Sequence, residues 1–160
     1  MKAHFRMMAA YNAWANEKLF KVASGLDDAA LNRDLGAFFG SVMATLNHIM
    51  VADLIWIARL RGQRPPGFGL DHILHDTLEE LAAARAVLDP DLQRLVEETD
   101  PLAEISYLRR GEAQRADAAA LLAHLFNHQT HHRGQVHAML TRLGQPSLAL
   151  DLIYFQRARA

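Results

Sequence analysis

Residues 39–61 read FGSVMATLNHIMVADLIWIARLR, and this stretch decides the fold. Val42, Leu46, Ile49, Trp56 and Leu60 recur at helical spacing on one side, with Ala44, Ala52 and Ile55 on another, so a helix from about Phe39 to Arg61 is apolar over most of its circumference. A helix wetted on so little of its surface belongs inside a bundle. Its polar exceptions, Asn47, His48 and Asp53, then need internal partners.

Working outward, Phe5, Met8, Asn12, Ala15, Leu19 and Val22 mark one face of a helix from about Ala3 to Ala23, which Gly25 stops. The segment Gly62-Gln63-Arg64-Pro65-Pro66-Gly67-Phe68-Gly69 cannot continue a helix and forms a loop. A third helix starts at about Asp71 or Asp76, passes through Leu78, Leu81 and Leu88, and is kinked or restarted at Asp89-Pro90 before Glu98. Glu104 to Leu108, the turn around Gly111, and Glu112 to Gln114 fit a short hairpin. Asp117 is placed to cap a fourth helix, Ala118 to about Leu143, closed by Gly144 and Pro146. The tail from Leu148 to Ala160 packs as a short helix or an extended strap. The expected class is all-α: one domain spanning residues 1–160, a four-helix bundle with a short hairpin between helices three and four.

Composition narrows the function. Among 160 residues the formal net charge is −1, so no basic field is available to draw in a nucleic-acid backbone. Arg109-Arg110 is the one adjacent basic pair in an otherwise scattered set. Cysteine is absent, which excludes disulfides, thiolate ligands and a cysteine nucleophile. The first residues lack the apolar core of a signal peptide, and the uncharged run Gly36–Ala52 carries Ser41, Thr45, Asn47 and His48. A cytoplasmic protein without a membrane partner is expected.

Nine histidines are present, four of them on the fourth helix. At about 100° per residue, His132 falls roughly 10° and His128 roughly 50° from the centre of that helix's apolar stripe, whereas His124 and His131 fall roughly 90° and 110° away. The inward pair is therefore His128 and His132. Imidazoles at i and i+4 share one face and can reach one ion, and His48, amid the apolar second helix, is the third candidate. Three histidines with a coordination position to spare are the donor set of a reactive divalent metal. The competing reading is three separately hydrogen-bonded core histidines.

The remaining histidines divide by place. His124, His131 and His137 are either solvated or orient a ligand, and His4, His72 and His75 read as surface residues. Gln135, one turn beyond His131 and His132, can bond a ligand imidazole or a water, or simply belong to the polar rim. Asp53 lies about 140° from His48 around its helix and is not a fourth ligand. Asn12 or Asn16 of the first helix is its expected partner. Trp14 and Trp56 read as packing anchors. No general base or substrate anchor can be named.

The segment Leu121-Leu122-Ala123-His124-Leu125-Phe126-Asn127-His128-Gln129-Thr130-His131-His132-Arg133-Gly134-Gln135, ending in His-His-Arg-Gly-Gln, resembles the DinB/YfiT-like family of metalloenzymes. Tyr11-Asn12-Ala13-Trp14-Ala15-Asn16, Leu46-Asn47-His48-Ile49 with Asp53 and Trp56, and Leu150-Asp151-Leu152-Ile153-Tyr154-Phe155 carry the resemblance across nearly the whole chain. It implies a four-helix bundle, often a homodimer, with a nickel or zinc ion on His48, His128 and His132. Some relatives in the wider superfamily are transferases or isomerases that use a low-molecular-weight thiol, which a chain without cysteine would have to import. Others have no assigned reaction, so a non-catalytic metal-binding or stress-response role stands beside a thiol- or water-activating enzyme.

Overall fold

The computed structural model describes residues 1–109 and 111–159; Arg110 of the expected turn and Ala160 of the tail lie outside the described residues. Four long helices form the frame: α1 (Lys2–Ala23), α3 (Val42–Leu60), α4 (Leu78–Glu98) and α5 (Ala118–Arg142). Around them lie two short helices, α2 (Asp28–Leu31) and α6 (Leu152–Arg157), and an antiparallel pair, β1 (Glu104–Arg109) and β2 (Glu112–Asp117). The expected hairpin thus forms, and its sheet makes the fold mostly helical rather than a pure all-α four-helix bundle.

α1 packs on α4 and α5, and α3 packs on α5 and α4, so the long helices close a ring around Leu19, Leu81, Leu92, Leu125 and Leu140. α3 is long and apolar enough to cross a membrane by length and composition, yet 72% of that window is buried inside the fold. It is the core helix that its sequence requires.

Local signals set the boundaries. α3 begins three residues later than Phe39, because Ser41 accepts a hydrogen bond from the Ala44 N–H and Gly40 takes φ 78°, so the turn before the cap cannot be helical. Of the two expected starts, α4 keeps to the one near Asp76 and not the one near Asp71: it begins at Leu78, since Thr77 caps the Glu80 N–H. Pro90 sits inside α4, which runs on continuously to Glu98. At the other end of the hairpin, Asp117 holds the N-cap position of α5 but its side chain caps nothing. Asp117 pairs with Glu104 as the last strand residue, and the carbonyls of Ala103 and Pro101 accept from the Ala118 and Ala119 N–H groups instead. α5 ends as its sequence indicates: Gly144 takes φ 83°, its N–H donates to Thr141 O, and the Gln145 N–H donates to Leu140 O.

Candidate metal centre

α3 and α5 carry the three histidines to one point. One ring nitrogen from each of His48, His128 and His132 lies within 4.8 Å of the others. Bundle packing sets the spacing, because i and i+4 residues on α5 face the same side of α3. His48 and His132 are buried and His128 is half-buried.

Hydrogen bonds fix which nitrogen of each ring is available. His48 Nδ1 lies 2.8 Å from Leu70 O, and a carbonyl only accepts, so the proton sits on Nδ1 and the Nε2 lone pair is free. His132 Nδ1 meets Gln135 Oε1 at 2.8 Å, with the same consequence for its Nε2. Gln135 Nε2 in turn donates to His131 Nε2 at 3.2 Å, so His131 orients the glutamine that orients the ring. Leu70 is held by the connection after α3, whose Leu74 and His75 N–H groups donate to Asn47 Oδ1 at 2.8 and 3.1 Å. Asn47 Nδ2 closes the tie on His75 O at 3.1 Å.

His48 Nε2 lies 3.1 Å from His128 Nε2. A tetrahedral ion with imidazole nitrogens at about 2.0 Å would hold them about 3.3 Å apart, so the ring positions suit a shared ion. Burial lowers the pKa of all three rings. His128 is pushed down to about 3, first by burial and then by its neighbours His132 and His48. For His48 burial outweighs the bond to Leu70 O, and for His132 it outweighs the bond to Gln135. Neutral rings at pH 7 are the form that can donate lone pairs.

Phe39 stacks on His48 at 3.8 Å between ring centroids and meets His132 edge-on at 5.7 Å, covering one side of the triad. On the other side His48 and His128 border a cleft of about 610 Å³. Its walls include Trp56 and Arg59 of α3, His124 of α5, Tyr107 of β1, and the loop residues Pro66 and Phe68. Trp56, expected to anchor packing, is half-buried and faces His124 at 4.7 Å in this wall. His137 stands apart from the cleft and fastens the C-terminal tail, its Nε2 lying 3.1 Å from Ser147 Oγ and accepting from the Leu148 N–H at 2.9 Å.

Asn12 and Asn16 do not answer Asp53, as the sequence led us to expect. Both donate to Asp89 of α4, at 3.2 and 3.1 Å. Asp53 is paired with Arg85 and accepts from Gln129 Nε2 at 2.7 Å. Arg85 also meets Asp89 at 2.7 Å, and Arg133 donates to Asn12 and Gln129. Two aspartates and two arginines therefore balance inside the ring of helices. Burial still raises the Asp53 pKa, against the pull of Arg85 and Gln129. Sequence reading missed Arg85, Asp89, Gln129 and Arg133 as members of this network, although charged or amide residues at inward helical positions were the signal available.

With that geometry in place, comparison with known proteins identifies the relatives. The DinB family profile matches residues 1–159. The chain belongs to the DinB family. Among curated proteins it is 26% identical over 162 residues to Protein DinB of Bacillus subtilis strain 168, covering 88% of this chain and 87% of that one. Among solved structures, a DinB-like protein from Bacillus cereus ATCC 10987 superimposes with a TM-score of 0.69 at 16% identity, over 87% of this chain and 90% of the other. That likeness shows a shared DinB-like fold.

Proposed function

We propose that this DinB family member binds one divalent metal ion, nickel or zinc, through Nε2 of His48, His128 and His132, and uses it to activate a small thiol or a water molecule. The carrying observation is that three neutral imidazoles converge with their Nδ1 protons engaged elsewhere for two of the three. Three nitrogen donors leave a coordination position to spare, and His48 and His128 border the cleft through which a substrate would reach it.

A divalent ion in such a site supplies Lewis acidity that lowers the pKa of a thiol or water sharing it. The chain's own residues do the rest. Leu70 O and Gln135 hold two rings in one tautomer and one orientation, Phe39 keeps water from one flank, and the cleft admits the substrate from the other. With no cysteine in the chain, a thiol would come as a separate small molecule. The resemblance also brings a homodimer into this reading, which sedimentation velocity checks.

Elemental analysis of purified wild type beside His48→Ala tests the centre. One ion per chain in the wild type and none in the variant is the expected result. Equal metal content in both would reject the site. Turnover of electrophiles with a panel of thiols, wild type against His132→Ala, then tests the enzyme.

A second reading, a structural ion in a non-catalytic protein, is favoured by the ligands' distribution over α3 and α5, since a shared ion would staple two core helices. Under it, chelator lowers the melting midpoint strongly and thiols give no turnover.

A further inference from the structure

The cleft beside the triad holds a cation without a carboxylate. Arg59 lies one α3 face along from His48, through Ala52 and Ile55-Trp56, with its guanidinium 4.5 Å from the Trp56 ring and 5.1 Å from the Tyr107 ring. Its Nε is buried and has no hydrogen-bond partner, and among the described residues no ion pair neutralises it. Arg109 of β1 lines the same cleft, together with His124, and no aspartate or glutamate is among its walls. Burial and the positive charge of Arg109 both depress the Arg59 pKa, whereas Arg85, buried in the core network, has Asp53 and Asp89.

A guanidinium packed against an edge-to-face pair of aromatic rings is restricted in advance, and its remaining edge suits bidentate capture of an oxyanion. Along α3, eleven residues separate His48 from Arg59, about 16 Å of helix axis. A group bound at Arg59 therefore belongs to the end of a substrate remote from the triad.

We propose that Arg59, assisted by Arg109, is an anion-holding subsite that selects substrates bearing a carboxylate or phosphate group at the end away from the metal centre. This rests on the reading of the cleft as the substrate's entrance. The bound anion supplies the counter-charge that the fold leaves out, and the edge-to-face rings of Trp56 and Tyr107 exclude water from one side of the pair.

The test is calorimetric titration with succinate, inorganic phosphate and uncharged succinamide, with Trp56 emission in a Trp14→Phe background as a local readout. Wild type is expected to bind succinate or phosphate and not succinamide; the stronger of the two names the class of anion. Arg59→Gln should weaken that binding at least tenfold, Arg59→Lys should retain part of it, and Arg109→Gln should weaken it less than Arg59→Gln does. His132→Ala should bind the anions as wild type does, which separates this subsite from the metal reading. No anion binding by wild type, equal binding by a folded Arg59→Gln, or succinamide binding as tightly as succinate would each overturn the proposal.

Discussion

Replacing Gln135 by leucine probes the centre without touching a ligand. In the wild type, Gln135 Oε1 accepts from His132 Nδ1 at 2.8 Å and thereby keeps the Nε2 lone pair directed at the shared point. Leucine removes that acceptor at similar bulk. The ring is then free to carry its proton on Nε2, and each ion bound must first shift it back. Loss of such an outer partner typically costs ten- to a hundredfold in metal affinity, or about 1.4 to 2.7 kcal/mol. Gln135 is half-buried, so water can replace part of what is lost, and about tenfold is the expected value. His131 bonds Gln135 at 3.2 Å and has no hydrogen bond of its own to the His132 ring, so His131→Ala should cost about a third of that factor. Competition against a chromophoric chelator measures both, with circular dichroism to confirm the fold. Affinity of Gln135→Leu within twofold of wild type would refute the argument that this bond sets the His132 tautomer.

Three other outcomes follow from the same geometry. Arg85→Met leaves Asp53 and Asp89 buried with no arginine between them, and urea denaturation should show a loss of about 3–5 kcal/mol; a loss under about 1 kcal/mol would mean that the pair adds nothing to the core. In metal-free protein, stability should fall as pH drops from about 6.5 towards 3. The unfolded His128 takes up its proton near 6.5, whereas the folded ring resists until about 3, so the unfolded state binds more protons throughout that window; His128→Leu should flatten the slope relative to wild type in thermal melts. Gly144→Ala forces a Cβ into a residue at φ 83° and should cost about 1 kcal/mol, with an unchanged melting midpoint as the contrary result.

The triad was legible because two regularities coincide in it. Helical period alone separates His128 and His132 from His124 and His131, and the apolar surroundings of His48 mark a buried ring that needs a partner. Gln135 was legible as a contact one turn away. Asp53 was not, since its partner Arg85 lies on a helix whose phase relative to α3 depends on the whole bundle. The same holds for Asn12 and Asn16, whose acceptor Asp89 sits beside the proline that obscured α4. The starts of α1 and α5 were legible, whereas those of α3 and α4 came out two or three residues early even from Phe39 and Asp76: Ser41 and Thr77 are sound caps, but apolar and acidic residues before them extend the helical pattern in the sequence. At Asp117 the cap was anticipated from residue type, while the strand pairing that occupies this residue is a tertiary event.

In the proposed reading, the metal ligands and the cleft walls come from only partly different structure. The three histidines stand on α3 and α5, braced by a charge-balanced network that reaches α1 and α4, so their relative positions are fixed by the packing of the long helices. The cleft is walled half by α3 and α5 and half by connections, among them Pro66 and Phe68 from the loop after α3, and Tyr107 and Arg109 from the hairpin inserted before α5. Connections of this kind accept substitutions that a packed helix face refuses. On that reading a change of substrate can arise in the loop or hairpin while the histidines stay in place, whereas Trp56 and Arg59 tie part of the cleft to the helix that carries His48. The two parts meet at three residues. Leu70 lines the cleft and accepts the His48 proton, so a loop that shifts to admit a different substrate also alters the orientation of one ligand. His48 and His128 are both cleft walls and proposed ligands, which makes them the positions where a substitution should disturb binding of ion and of substrate together.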